Sequence, residues 1–210
     1  MRMAPTPNPI ANARPQRWAL MLLRLFGWRI DLPPPTAPKV LLILYPHTSN
    51  WDFWWGILAK WSVGWEIRWI GKHTLFVGPI GWLLRYWGGI AVNRKQASGF
   101  VESLKREIDQ LDTLILTILP EGTRGYVDYW KSGFLRIAHA NDMPIGLAYM
   151  DYQRRTVGIL EYRKLSGDDS ADMAYLAAAY ANISGRNPSK AGAIKLREAR
   201  QTVRKGRCSS

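Results

Sequence analysis

The stretch VLLILYPHTSNWDF, residues 40–53, decides how this chain is read. Its first half, Val40 to Tyr45, is a continuous apolar run with the composition of a strand buried within a sheet. Such a strand delivers His47 to the end of the sheet and leaves Asp52 in the first turn of a following helix, from which it can fold back onto the imidazole. Histidine is the side chain best suited to proton transfer near neutral pH. An aspartate accepting from one ring nitrogen fixes the tautomer and leaves the other nitrogen free to take a proton from a hydroxyl. The same residues also permit a plainer reading: a histidine that closes a strand, with Asp52 as a favourable charge near a helix N-terminus.

Two more strand ends carry charge. Thr113 to Ile118 is a second apolar run, and Leu119-Pro120-Glu121-Gly122-Thr123-Arg124-Gly125 follows it directly. Proline and glycine end the strand and impose a turn that presents Glu121 and Arg124. Gly88-Gly89-Ile90-Ala91-Val92-Asn93-Arg94 is a glycine turn, a short strand and then Arg94. A lone arginine at a strand end is usually a solvated charge. Two of them, with a His-Asp pair at a third strand, read as one site at one edge of a sheet.

His-x4-Asp, then Gly-x4-Arg, then Pro-Glu-Gly-Thr-Arg, in this order, resembles the glycerolipid acyltransferases, of which the lysophosphatidic acid acyltransferases are the best known. The resemblance covers Val40 to Tyr149. It takes in Lys72-His73-Thr74-Leu75-Phe76, Pro79 and Gly81, Lys131-Ser132-Gly133, and Met143-Pro144-Ile145 as a weak fourth block. The chain departs from many relatives at Asn93, Leu119 and Gly125, and none of these departures removes a charged group.

The resemblance implies that His47 is a general base on the free hydroxyl of an acceptor lipid, with Asp52 orienting it. The activated oxygen attacks the thioester of acyl-coenzyme A or acyl-carrier protein, so these carriers are substrates and no cofactor is required. A covalent acyl-enzyme is unnecessary: Ser49 has no base of its own, and Cys208 lies in a polar tail. Arg94 and Arg124 suit phosphate because guanidinium offers a fixed fork of donors. Lys72 adds a point charge, and Gly122 and Thr123 belong to the same substrate-binding turn. The family places Glu121 near the acceptor, as a hydrogen-bond acceptor or as a partner orienting Arg124. The implied reaction esterifies a lysophospholipid, most simply lysophosphatidic acid to phosphatidic acid. Glycerol phosphate, another lysophospholipid or a lyso-ornithine lipid are the alternative acceptors. A non-catalytic basic protein that binds membranes or nucleic acid is the alternative of another class. The intact His47, Asp52, Glu121 and Arg124 speak against that, so no nucleic acid partner is expected.

A net charge of +13 over 210 residues calls for an anionic partner, here a membrane surface. One cysteine allows no intrachain disulfide. His47, His73 and His139 lack metal-ligand spacing, so no metal is expected. Of 11 tryptophans, eight fall between Trp51 and Trp87. Some read as helix core; others are expected to touch lipid or to line an acyl groove.

Three segments are expected. Residues 1–35 hold a disordered Pro- and Asn-rich start, an apolar helix from Trp18 to Trp28, and a stiff proline connector. That helix is too short to span a bilayer and is interrupted by Arg24, so it reads as interfacial. A signal peptide is the rival, but no small-residue cleavage site follows. Residues 36–183 form the catalytic domain, an α/β two-layer sandwich with a mixed, largely parallel sheet flanked by helices. Helices are expected over Ala97–Leu111, Phe134–Ala140 and Met173–Ile183, and strands over Pro144–Met150 and Thr156–Tyr162. Residues 184–210 form a basic tail, suited to anionic headgroups. Peripheral attachment to the cytoplasmic face of a membrane follows as the expected location.

Overall fold

The computed structural model describes residues 7–92 and 100–197. The apolar run becomes β2 (Lys39–Tyr45), the middle of the seven strands that form one sheet among the described residues. Its neighbours β5 (Leu114–Ile118) and β6 (Ile145–Asp151) both run parallel to it. Beyond β5 lie β3 (Ile67–Lys72) and β4 (Gly89–Val92), again parallel. Direction reverses once, between β6 and β7 (Thr156–Arg163). A three-residue strand, β1 (Arg29–Asp31), closes that edge parallel to β7. The sheet is mixed and largely parallel, as expected; β1 is unexpected, because only Ile30 of its residues is apolar.

Among the described residues, six α-helices pack around the sheet: α1 (Arg17–Leu25), α2 (Trp51–Val63), α3 (Gly78–Tyr86), α4 (Phe100–Asp109), α5 (Gly133–Ala140) and α6 (Asp169–Ala179). Leu41, Ile43 and Tyr45 of β2 face α4, α5 and α6, packing among Leu104, Phe134, Ile137 and Leu176. Val40 and Leu42 face the other way, among Trp65, Ile115 and Ile159, and beside them Trp55 and Ala59 of α2 pack with Leu23 of α1. Helices therefore cover both faces, where two layers were expected. The cause lies in β2 itself, whose apolar residues point both ways and need cover on each side. Helix α6 begins four residues earlier than expected because Asp168 caps it, accepting from Ser170 N and Ala171 N.

Both ends of the described chain correct the expected boundaries. Residues 8–16 are not loose. Gln16 N donates to Trp61 O at 2.8 Å and Arg14 N to Gly64 O at 3.3 Å, while Ile10 and Ala13 pack on the core. Gly64 ends α2 at φ +69°, and a side chain there would collide with the Arg14 backbone. At the other end, 184–197 belong to the folded unit. Tyr152 N donates to Ser184 O at 2.8 Å, and Trp130 N to Lys195 O at 2.7 Å. The basic residues Arg186, Lys190, Lys195 and Arg197 alternate with Ala191, Ile194 and Leu196, which pack against the core. Charge in that stretch hides an apolar seam. The rest of the basic tail and Arg94 lie outside the described residues.

Candidate active site

Strand β2 ends at Tyr45 and α2 starts at Trp51, so a five-residue turn holds His47 over the C-terminal edge of the sheet, where open α/β folds bind ligands. Asp52, only 1% exposed, organises that turn. Its Oδ2 lies 3.0 Å from His47 Nδ1 and accepts from Thr48 N and Ser49 N, both at 2.9 Å. A carboxylate can only accept, so Nδ1 carries a proton, and in the neutral ring the lone pair is left on Nε2. The second oxygen, Oδ1, accepts from Tyr152 Oη at 2.6 Å. Burial, and then the bond to Asp52, push the Tyr152 phenol well above its usual pKa, so it stays a donor.

Glu121 follows β5 and is also 1% exposed. Its Oε2 accepts from His47 N at 2.7 Å and its Oε1 from Gly192 N at 2.8 Å. Burial raises its pKa, against the opposing pull of those two amides. Glu121 was expected at the acceptor or beside Arg124. The structure uses both its oxygens inside the protein, tying the turn after β5 to the His47 turn and to the C-terminal segment. The same segment grips the His47 turn from the other side: Asn187 N donates to Thr48 Oγ1 at 3.1 Å and Asn187 Nδ2 to Thr48 O at 3.0 Å. Residues 184–197 thus strap both turns together.

His47 stands at the polar end of a cavity of about 700 Å³. Asn50, Lys72, Gly122, Thr123 and Arg124 line this end with it. Lys72 and Arg124 are exposed, and neither makes an ion pair among the described residues. The remaining walls are mostly apolar. They run beneath α2 from Ile67 and Ile70 of β3, past Leu42 and Leu44, to Val157 and Ile159 of β7. Those strands are four spacings apart, about 19 Å at roughly 4.8 Å each, so the hollow is long enough for an alkyl chain. Lys60 Nζ donates to Trp87 O at 2.7 Å in this wall, and burial lowers its pKa.

Most of the expected site residues meet here. His47, Asp52, Lys72, Gly122, Thr123 and Arg124 all border the cavity, and Glu121 lies just behind it. Strand β4 ends with Val92 beside Lys72; Arg94 lies outside the described residues. The tryptophans divide: Trp54 and Trp69 line the cavity, Trp51, Trp54 and Trp82 are exposed, and Trp55 and Trp65 are buried. Sequence reasoning missed Tyr152, Gly192 and Asn187, which act across 71 to 139 residues and carry no local motif. Among the described residues no cluster of His, Cys, Asp and Glu could hold a metal ion.

The Acyltransferase family model matches residues 34–147, more than half of the chain. Among solved structures, the 1-acyl-sn-glycerophosphate (LPA) acyltransferase PlsC from Thermotoga maritima is similar, with a TM-score of 0.54 and 14% identity. The likeness covers 77% of this chain and 73% of that one, and at such identity it speaks for the fold. No curated protein matches the sequence.

Proposed function

The chain belongs to the Acyltransferase family, and on that premise we propose that it transfers a fatty acyl group from acyl-coenzyme A or acyl-carrier protein to the free hydroxyl of a lysophospholipid, most simply lysophosphatidic acid. One observation carries this reading: a histidine with its tautomer fixed faces the polar end of a long apolar cavity whose rim bears cations. The alkyl chain lies in the hollow beneath α2, which brings the thioester carbonyl to His47. Nε2 takes the proton of the acceptor hydroxyl as its oxygen attacks that carbonyl. The C–O bond forms, the C–S bond breaks, and the thiolate takes the proton back from the imidazolium. Asp52 stabilises the charged ring and holds it in place, and Tyr152 and the two amides hold Asp52. Arg124 and Lys72 meet phosphate at the rim; the family resemblance gives Arg94, which lies outside the described residues, the same chemical role.

Attachment to the cytoplasmic face of a membrane fits the same reading. Among the described residues no helix is long and apolar enough to cross a bilayer. Helix α1 buries Ala19 and Leu23 against the protein and turns Trp18, Met21 and Leu25 outward, the profile of a helix lying in the headgroup layer. The test is an acceptor panel. Purified protein is mixed with acyl-coenzyme A or acyl-carrier protein and a thiol reagent, and lysophosphatidic acid, glycerol phosphate, other lysophospholipids and a lyso-ornithine lipid are added singly. Thiol release that depends on lysophosphatidic acid supports the proposal. Release with another acceptor reassigns the substrate, and release with none refutes it.

A further inference from the structure

Helix α1 is not the only apolar surface turned outward. Between β3 and β4 the chain exposes Leu75, Val77, Ile80, Trp82 and Tyr86, each between 54% and 76%. Loose packing does not explain this, because the segment is pinned from within. Phe76 is buried against Trp69 with ring centroids 5.6 Å apart, and Arg85 Nη1 donates to Phe76 O at 3.1 Å. Helix α3 closes so tightly over Phe76 that a side chain at Gly81 would collide with its backbone. With the inner side fixed, the other side chains face out, and Trp82 and Tyr86 stack one turn apart at 5.8 Å.

Charge identifies the occupant. No acidic residue lies between Glu66 and Glu102 in the sequence, whereas Arg68, Lys72 and Arg85 are exposed there. Bulky apolar side chains beside cations, with no acidic residue within the segment itself, suit hydrocarbon beneath anionic headgroups. The surface also adjoins the site, since Leu75 and Leu84 line the cavity. A row of rings connects it to α1, from Trp18 to Trp61 at 5.3 Å and from Trp61 to Trp87 at 5.5 Å.

We propose that segment 75–86 is a second membrane-docking surface, seated beside α1 in an anionic bilayer, through which lipid reaches the cavity. This rests on the lipid acceptor proposed above. One amphipathic helix alone leaves a protein free to pivot on a membrane; two contacts flanking α2 fix the cavity mouth against the lipid.

The experiment uses the full chain with Cys208→Ser and a single new cysteine, Ile80→Cys or Met21→Cys, carrying an environment-sensitive fluorophore. Each protein is mixed with vesicles of equal phosphatidylglycerol and phosphatidylcholine, or of phosphatidylcholine alone. The proposal predicts a blue shift and severalfold brightening at residue 80 as well as at residue 21, stronger on the anionic vesicles and quenched by brominated acyl chains. A response at residue 21 alone overturns the proposal and leaves the acyltransferase reading standing. Silence at both positions overturns the membrane contact altogether. Ile80→Asp with Trp82→Asp should lower vesicle affinity roughly tenfold or more while sparing transfer to a short-chain, water-soluble acceptor. Should sedimentation without vesicles instead show a dimer that these substitutions dissolve, a second copy covers the surface and the proposal fails.

Discussion

The two faces of the central sheet have the same chemistry and different densities. On one, Leu41, Ile43 and Tyr45 are locked among Phe134, Leu135, Ile137 and Leu176, all of them buried. On the other, Leu42 and Leu44 look into about 700 Å³ of cavity beneath α2. The first face is a core whose packing supports the fold. The second is an apolar surface kept open, with His47 at its polar end. Burying apolar area is thus not a single act in this molecule: one side spends it on stability, the other reserves it for a ligand.

The largest effect expected is on chemistry at the open face. His47→Ala should lower turnover by at least ~100-fold, the low end of what a positioned general base contributes, with the melting temperature unchanged. Near-normal rates in that variant would remove the base from the mechanism.

Next comes a paired test of the two faces. Phe134→Ala, on the filled side, should cost about 3–5 kcal/mol of stability in chemical denaturation and leave turnover per folded molecule intact. Gly56→Leu, on the open side, should do the reverse. Gly56 borders the cavity, and a Cβ there meets only the Met150 methyl, at 3.2 Å. The added side chain therefore grows into the hollow, and replacing a mid-helix glycine carries no penalty of its own. Long-chain donors should lose about tenfold or more in kcat/KM, an effect roughly in line with overpacking an apolar site, while the shortest donors are spared. Equal losses of stability in both variants would erase the distinction between the faces.

Tyr152→Phe probes how rigidly the polar end is held. It removes a hydroxyl bonded to Asp52 at 2.6 Å. Hydrogen bonds to charged groups are worth about 1.5–3 kcal/mol, so kcat should fall roughly tenfold or more with both KM values unchanged. A change confined to KM would make Tyr152 part of the substrate site.

The smallest effect is expected at the rim. Arg124→Lys keeps charge but loses the bidentate fork, and should raise the acceptor KM severalfold while the donor KM moves little. Steady-state kinetics with each substrate varied in turn decides. A donor KM that rises alone would assign this arginine to the phosphates of the acyl carrier.

These regions differed in how legible they were. The sheet and the His47–Asp52 pair could be read because their signals are local: a continuous apolar run, a breaker, and a carboxylate within one helical turn. Glu121 could be found but not placed, since nothing nearby in sequence says that its partners are the amides of His47 and Gly192. Tyr152 reads as an ordinary turn residue; its partner is 100 positions away. The strap 184–197 was obscured by composition, because its cations outnumber the small apolar residues that seat it. Filled and open faces were indistinguishable for a plainer reason. A leucine facing a phenylalanine and a leucine facing a hollow are the same letter, and only the volume opposite separates them.

The account rests on the hollow beneath α2 holding the acyl chain against His47. A crystal structure with a long-chain alkyl thioether of coenzyme A, which cannot be cleaved, tests it most directly. The account predicts the alkyl chain between α2 and the strands carrying Leu42, Ala148 and Val157, with the carbon next to sulfur beside His47 Nε2. A chain resolved outside this hollow, with sulfur remote from His47, would contradict it.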